Sequence, residues 1–260
     1  MSDSKSATAA VLLLAGLLVI GPLVAIFFLM GDIKVGPRMQ QQNDEATARQ
    51  RFKEQPVMDI QIPSQGGQVS TARNLLVIFD GSGSMLEEPD ASCGADGRFA
   101  NKHEGAIWAV EQFVEQVPDG VNLGLYVFDQ GGGGLRMALA PDREGFMAHV
   151  RAVNPGGGTP LAEAIRMSTR TLVAQYQQQL GYGEFRLVVV TDGEAQGLAK
   201  AAVYAAGMGM PIYTIGLCVD PNHVLREFSV SYTAANDFEA LSAGLADSLA
   251  ELPDFDDTQF

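Results

Sequence analysis

Asn74–Met85 reads NLLVIFDGSGSM, an apolar run that ends in Asp80-Gly81-Ser82-Gly83-Ser84. Leu75 to Phe79 are the aliphatic, β-branched and aromatic types that fill a strand buried on both faces. The strand delivers a carboxylate and two hydroxyls at alternate positions, and the intervening glycines let the backbone curl so that all three point inward. Asp and Ser supply only hard oxygen donors, which suits Mg²⁺ or a similar cation far better than zinc. Three other chemistries fail on single residues. A nucleophile elbow needs Gly two places before and after its serine, where Ser82 has Asp80 and Ser84. A dinucleotide fingerprint running through Gly81 and Gly83 needs Gly where Leu86 stands. An Asp-x-Asp phosphotransfer pair needs a second acid in place of Ser82. A cation site and a Ser/Gly-rich turn without function remain open on this segment alone.

Two later segments carry matching chemistry. Asn154–Leu161 reads NPGGGTPL, in which a glycine run precedes Thr159, and Pro160 suits the first position of a helix. Phe185–Glu194 reads FRLVVVTDGE, a second buried-strand run that closes on Asp192. Each is ordinary by itself, as a turn before a helix or an acid at a strand end. With Asp80, Ser82 and Ser84 they add one hydroxyl and one carboxylate at element ends, where loops gather.

On these residues the chain resembles the von Willebrand factor type A domain family, from about Asn74 to Leu252. The family's metal-ion-dependent adhesion site combines an Asp-x-Ser-x-Ser motif with a distant Thr and a distant Asp. These fall here on Asp80, Ser82, Ser84, Thr159 and Asp192. The resemblance implies that Ser82, Ser84 and Thr159 reach the cation directly. Asp80 and Asp192 would act through bound water or by orienting the hydroxyls. It implies Mg²⁺, with Ca²⁺ or Mn²⁺ as substitutes, and an open coordination position for an Asp or Glu of a partner protein.

The alternation of strand-like and helix-like segments after Asn74 predicts an α/β fold, Rossmann-like and doubly wound, with a mostly parallel sheet covered by helices on both faces. Strands are expected at 74–80, 121–129, 185–191 and 212–217. Helices are expected at 101–117, 161–180, 199–208 and 238–252. Gly131–Gly134 reads as a hairpin or loop leading into a short segment at 135–139. Asp80 and Asp192 both stand at carboxyl ends of strands, where open α/β sheets bind ligands.

At 260 residues the chain accommodates one domain, 71–252, with terminal segments. A short tail, 1–6, precedes Ala7–Met30, which contains the run VLLLAGLLVIGPLVAIFFLM; no charge lies between Lys5 and Asp32. As a helix this spans roughly 36 Å, enough to cross a membrane as an uncleaved anchor. Its end, Ile-Phe-Phe-Leu-Met, is a poor signal-peptidase site. The positive-inside count, Lys5 against Lys34 and Arg38, leans toward a cytoplasmic domain, whereas so short an N-terminal tail favours export. The extracytoplasmic side is the favoured expectation. Residues 31–70 read as a stalk, with a polar helical stretch at 39–55 and strand-like alternation at 57–62. Residues 253–260 form an acidic tail.

Cys93 and Cys218 are the only cysteines. A disulfide bracing the site and two free thiols both remain open, because two intervening strands would hold the positions about 14 Å apart unless the loop reaches across. His103, His149 and His223 show no ligand spacing. A net charge of −14 argues against nucleic acid. Glu87, Glu88, Asp90 and Asp96 follow the motif and predict a partner patch in which one carboxylate is surrounded by basic residues. No activated nucleophile, catalytic base pair or cofactor loop points to an enzyme. The expected function is membrane-anchored, cation-dependent protein binding. The alternative is a substrate-recruiting subunit working with an AAA-type ATPase, a role the family resemblance also allows.

Overall fold

The computed structural model describes residues 37–54, 60–63, 66–89, 93, 97–219 and 222–249. Ala7–Met30, the first half of the 57–62 alternation and the acidic tail lie outside them. Among the described residues no helix is long and apolar enough to cross a membrane.

Six strands form one sheet in the order β3-β2-β1-β4-β5-β6. They are β1 (Arg73–Asp80), β2 (Asn122–Asp129), β3 (Gly132–Ala140), β4 (Glu184–Thr191), β5 (Ile212–Leu217) and β6 (Ser231–Ala235). All neighbouring pairs are parallel except β2 and β3. β1 is central, and Leu75, Val77 and Phe79 pack into one apolar layer while Leu76 and Ile78 pack into the other. Period-two alternation thus places apolar residues on both faces, which is why this strand reads as a continuous hydrophobic run.

The first layer is closed by α2 (Lys102–Gln116), α3 (Arg143–Arg151) and α6 (Phe238–Asp247), through residues such as Phe113, Phe146 and Phe238. The second is closed by α4 (Leu161–Gln178) and α5 (Leu198–Gly207). Gly105 on α2 lets the Phe238 ring lie against the helix: a Cβ there would stand 2.0 Å from the ring.

Several elements differ from the sequence expectation. The glycine run 131–134 belongs mostly to a strand. Gln130 and Gly131 make a two-residue turn, Asp129 pairs with Gly132, and β3 runs back antiparallel along the sheet edge. Helix α3 is absent from the sequence expectation; its nine residues follow the N-cap Asp142, whose carboxylate accepts from Gly145 N at 2.8 Å, and bury Phe146, Met147 and Val150. Strand β6 extends the sheet beyond β5, and α6 ends at Asp247 rather than near 252.

The polar stretch before the domain is helical, α1 (Pro37–Glu54). Within it Ala48 is buried in the second apolar layer, Asp44 pairs with Lys200 at 2.7 Å, and Arg49 pairs with Glu227. Residues 44–49 of the expected stalk are therefore packed against the domain rather than spread in solvent as a tether. Ile60–Pro63 adopt no regular structure.

Candidate metal centre

Parallel registration of neighbouring strands builds the site. Phe79 of β1 lies opposite Val190 of β4, so Asp80 and Thr191 close the two strands side by side. Asp80 is fully buried. Its Oδ2 accepts a hydrogen bond from the Thr191 hydroxyl at 2.6 Å, and its Oδ1 accepts from the Ser82 backbone N–H at 2.8 Å. Burial pushes the Asp80 carboxyl above its ordinary value, against the lowering effect of these bonds.

From Ser82 a chain of hydroxyl contacts leads to the second acid. Ser82 Oγ and Ser84 Oγ are 3.0 Å apart, and Ser84 Oγ donates to Asp192 Oδ1 at 2.8 Å. Asp192 Oδ2 receives Lys102 Nζ at 3.1 Å, and the same amine donates to Glu87 Oε2 at 2.9 Å. Burial alone would lower the Lys102 pKa, but its bonds to Glu87 and Asp192 raise it overall.

The Gly-rich loop before α4 is clipped onto the motif by two backbone bonds. Gly83 N donates to Gly157 O at 3.1 Å, and Gly156 N donates to Gly81 O at 2.8 Å. The approach depends on Gly81, where a Cβ would meet Val153 at 2.7 Å and the Phe128 carbonyl at 2.9 Å. This docking brings Thr159 to the site: its Oγ1 lies 3.8 Å from where a Cβ on Gly193, the residue after Asp192, would stand. The structure therefore gathers Asp80, Ser82, Ser84 and Asp192 into one bonded chain, with Thr159 facing the Asp192–Gly193 turn.

The donor set suits a hard cation. Among the described residues no three of His, Cys, Asp and Glu gather as a metal-binding group, and the oxygens brought together here are mostly hydroxyls. Neighbouring ligands of an octahedral Mg²⁺ at about 2.0–2.1 Å stand about 2.9 Å apart. The 3.0 Å separation of the two serine oxygens matches that edge.

Three supporting residues were not identified from the sequence. Thr191 precedes Asp192 in the quoted strand, and its bond to Asp80 becomes visible only when β1 and β4 are paired. Lys102 opens a helix and carries no spacing signal. His223, which shows no ligand spacing in the sequence, is buried; its Nδ1 accepts from Leu225 N at 3.1 Å, which leaves Nε2 to donate to Gly193 O at 3.1 Å. It thereby holds the turn that carries Asp192. His103 is buried against the Phe79 ring, 5.8 Å between centroids, and His149 is exposed.

The loop after the motif is tied down as well. Cys93 and Cys218 are joined in a disulfide with Cα atoms 5.2 Å apart. Cys218 follows β5, two strands from β1, so Cys93 stands at the β5 end of the sheet.

Residues 75–194 match the sequence profile of the von Willebrand factor type A domain family. No curated protein matches the chain by sequence. Among solved structures, the pilus adhesin SpaC from Lactobacillus rhamnosus GG is similar at 15% identity and a TM-score of 0.53, over 71% of this chain and 31% of that one. The vWF domain of the type V pili tip protein Mfa5 from Porphyromonas gingivalis is similar at 13% identity and a TM-score of 0.52, over 72% of this chain and all (100%) of that one. A von Willebrand factor type A protein from Catenulispora acidiphila is similar at 17% identity and a TM-score of 0.51, over 69% of this chain and 43% of that one. The chain thus spans under half of the SpaC and Catenulispora proteins, and at these identities the likeness is one of fold. The mostly parallel sheet and the helices on both faces agree with this family match, which runs from β1 to β4.

Proposed function

We propose that this domain is a divalent-cation-dependent protein-binding module, without catalytic activity of its own, anchored to a membrane by Ala7–Met30. In this reading Asp80, Ser82, Ser84, Thr159 and Asp192 hold Mg²⁺, directly through the hydroxyls and through water or orientation from the carboxylates. When bound, the cation supplies a Lewis-acidic position that a partner's Asp or Glu completes. The observation that carries the reading is the unbroken chain from Thr191 through Asp80, Ser82 and Ser84 to Asp192, with serine oxygens at octahedral-edge spacing.

The likeness in fold to a pilus adhesin and to the vWF domain of a pilus tip protein supports an adhesive or assembly role. The Cys93–Cys218 disulfide supports an oxidising compartment and hence an extracytoplasmic domain. Exposed Glu87 and Glu88 beside the motif favour a partner whose carboxylate is ringed by basic residues.

The test is partner capture from native membranes, comparing wild type with Mg²⁺, wild type with EDTA, and Asp80→Asn with Mg²⁺. A partner retained only in the first condition supports metal-mediated recognition. The same partners in all three would move the search to other surfaces.

A further inference from the structure

Lys102 is the first residue of α2, where the unpaired N–H groups and the helix macrodipole disfavour a positive charge. Its side chain is nevertheless only 13% exposed and points away from bulk water, to Asp192, whose side chain is fully buried. A carboxylate withdrawn from water needs a compensating charge, and the ammonium supplies it at 3.1 Å. The amine's second partner, Glu87 at 2.9 Å, is largely exposed, and Glu87 O also accepts from Lys102 N at 3.0 Å. The backbone bond fixes where the lysine stem starts, and the two carboxylates fix where it ends.

We propose that Lys102 is a tethered counter-ion of the metal site, resting on Asp192 and competing with the divalent cation for that carboxylate. The proposal rests on the metal-site reading above. Both oxygens of Asp192 are engaged, Oδ1 by Ser84 and Oδ2 by Lys102. Bringing a divalent cation to this carboxylate places it beside a positive charge, which weakens its binding. Glu87 moderates the effect by drawing the ammonium outward. Lys102 is in this sense a positioning residue: it holds the Asp192 rotamer and sets the cation concentration at which the site loads.

The experiment is calorimetric titration of Mg²⁺ into metal-stripped protein, for wild type, Lys102→Met, Lys102→Gln, Lys102→Arg, Glu87→Gln and Asp80→Asn, with melting curves in EDTA. Removing the charge in Lys102→Met or Lys102→Gln should tighten Mg²⁺ binding about tenfold while lowering the metal-free melting temperature. Lys102→Arg should stay within about threefold of wild type, and Glu87→Gln should weaken binding by about threefold. A wild type that fails to bind while Lys102→Gln binds also supports the proposal. If wild type binds and Asp80→Asn does not, but the neutral Lys102 variants bind equally or more weakly, the counter-ion role is overturned and the metal site stands. If Lys102→Arg behaves like Lys102→Met, charge is not the operative property and the proposal fails. If no variant binds Mg²⁺, the proposal and the metal reading fall together.

Discussion

Asp80→Asn separates the structural from the metal-binding role of the buried acid. The carboxylate accepts from Ser82 N at 2.8 Å and from the Thr191 hydroxyl at 2.6 Å. The asparagine carbonyl keeps the first bond. Its NH₂ group faces the Thr191 oxygen, whose hydrogen turns to the Gly193 carbonyl at 3.3 Å. Both bonding positions are filled, and a buried charge is gone.

Because burial raises the Asp80 pKa above its ordinary 3.8, the folded state holds more protons than the unfolded chain between the two values. Stability from this group therefore rises as pH falls through the folded value, and the ionised carboxylate is a cost at neutral pH. The neutral amide should leave metal-free stability within about 1 kcal/mol of wild type, or about 2–4 °C for a domain of this size. Mg²⁺ at a hundredfold excess over its Kd should stabilise wild type by about 2.7 kcal/mol, or about 5–11 °C, and Asp80→Asn not at all. Thermal unfolding followed by circular dichroism, with Mg²⁺ and with EDTA, reads both effects. An Asp80→Asn protein that keeps the wild-type Mg²⁺ shift would refute the argument. A metal-free variant melting more than about 10 °C below wild type would show the carboxylate to be structural.

Other substitutions report on the scaffold. Burial holds the His103 pKa below its ordinary 6.5, so the unfolded chain binds more protons in the window beneath that value. Stability should fall as pH drops through about 6.5 and level off below the folded pKa, and His103→Gln should flatten this part of a pH–stability profile; an unchanged profile would point to another group. Gly105→Ala gains about 1 kcal/mol of helix propensity, but its methyl group meets the Phe238 ring at 2.0 Å, so denaturant titration should show a net loss of about 1–3 kcal/mol. Reducing the Cys93–Cys218 bond, which closes a separation of 125 residues, should cost about 2–4 kcal/mol, seen as a lower melting temperature with reductant and none in Cys93→Ser.

Much of this architecture was legible because its signals are local. The runs that became β1, β4 and β5 are apolar on both faces, and each ends in turn chemistry. Helix α4 announced itself by Leu161, Ile165 and Leu172 on one face, preceded by Pro160. β3 was obscured because its first residues are glycines, which carry no alternation to read; hairpin closure against Asp129 makes the strand. β6, five residues of small and polar types, draws its identity from pairing with β5. The candidate site shows the same division. Asp80, Ser82, Ser84, Thr159 and Asp192 follow a sequence pattern, whereas Thr191, Lys102 and His223 enter through contacts between strands, a helix start and a distant turn. The disulfide stood open for the same reason: the path of the loop past two strands is a tertiary fact.

The most direct test is the crystal structure of the protein grown with Mg²⁺, with a matched Mn²⁺ crystal to locate the metal by anomalous scattering. The account predicts a single peak bounded by Asp80, Ser82, Ser84, Thr159 and Asp192, with the three hydroxyl oxygens at about 2.0–2.1 Å from Mg²⁺. Saturating metal with no peak there, and Ser84 still donating to Asp192, would contradict it.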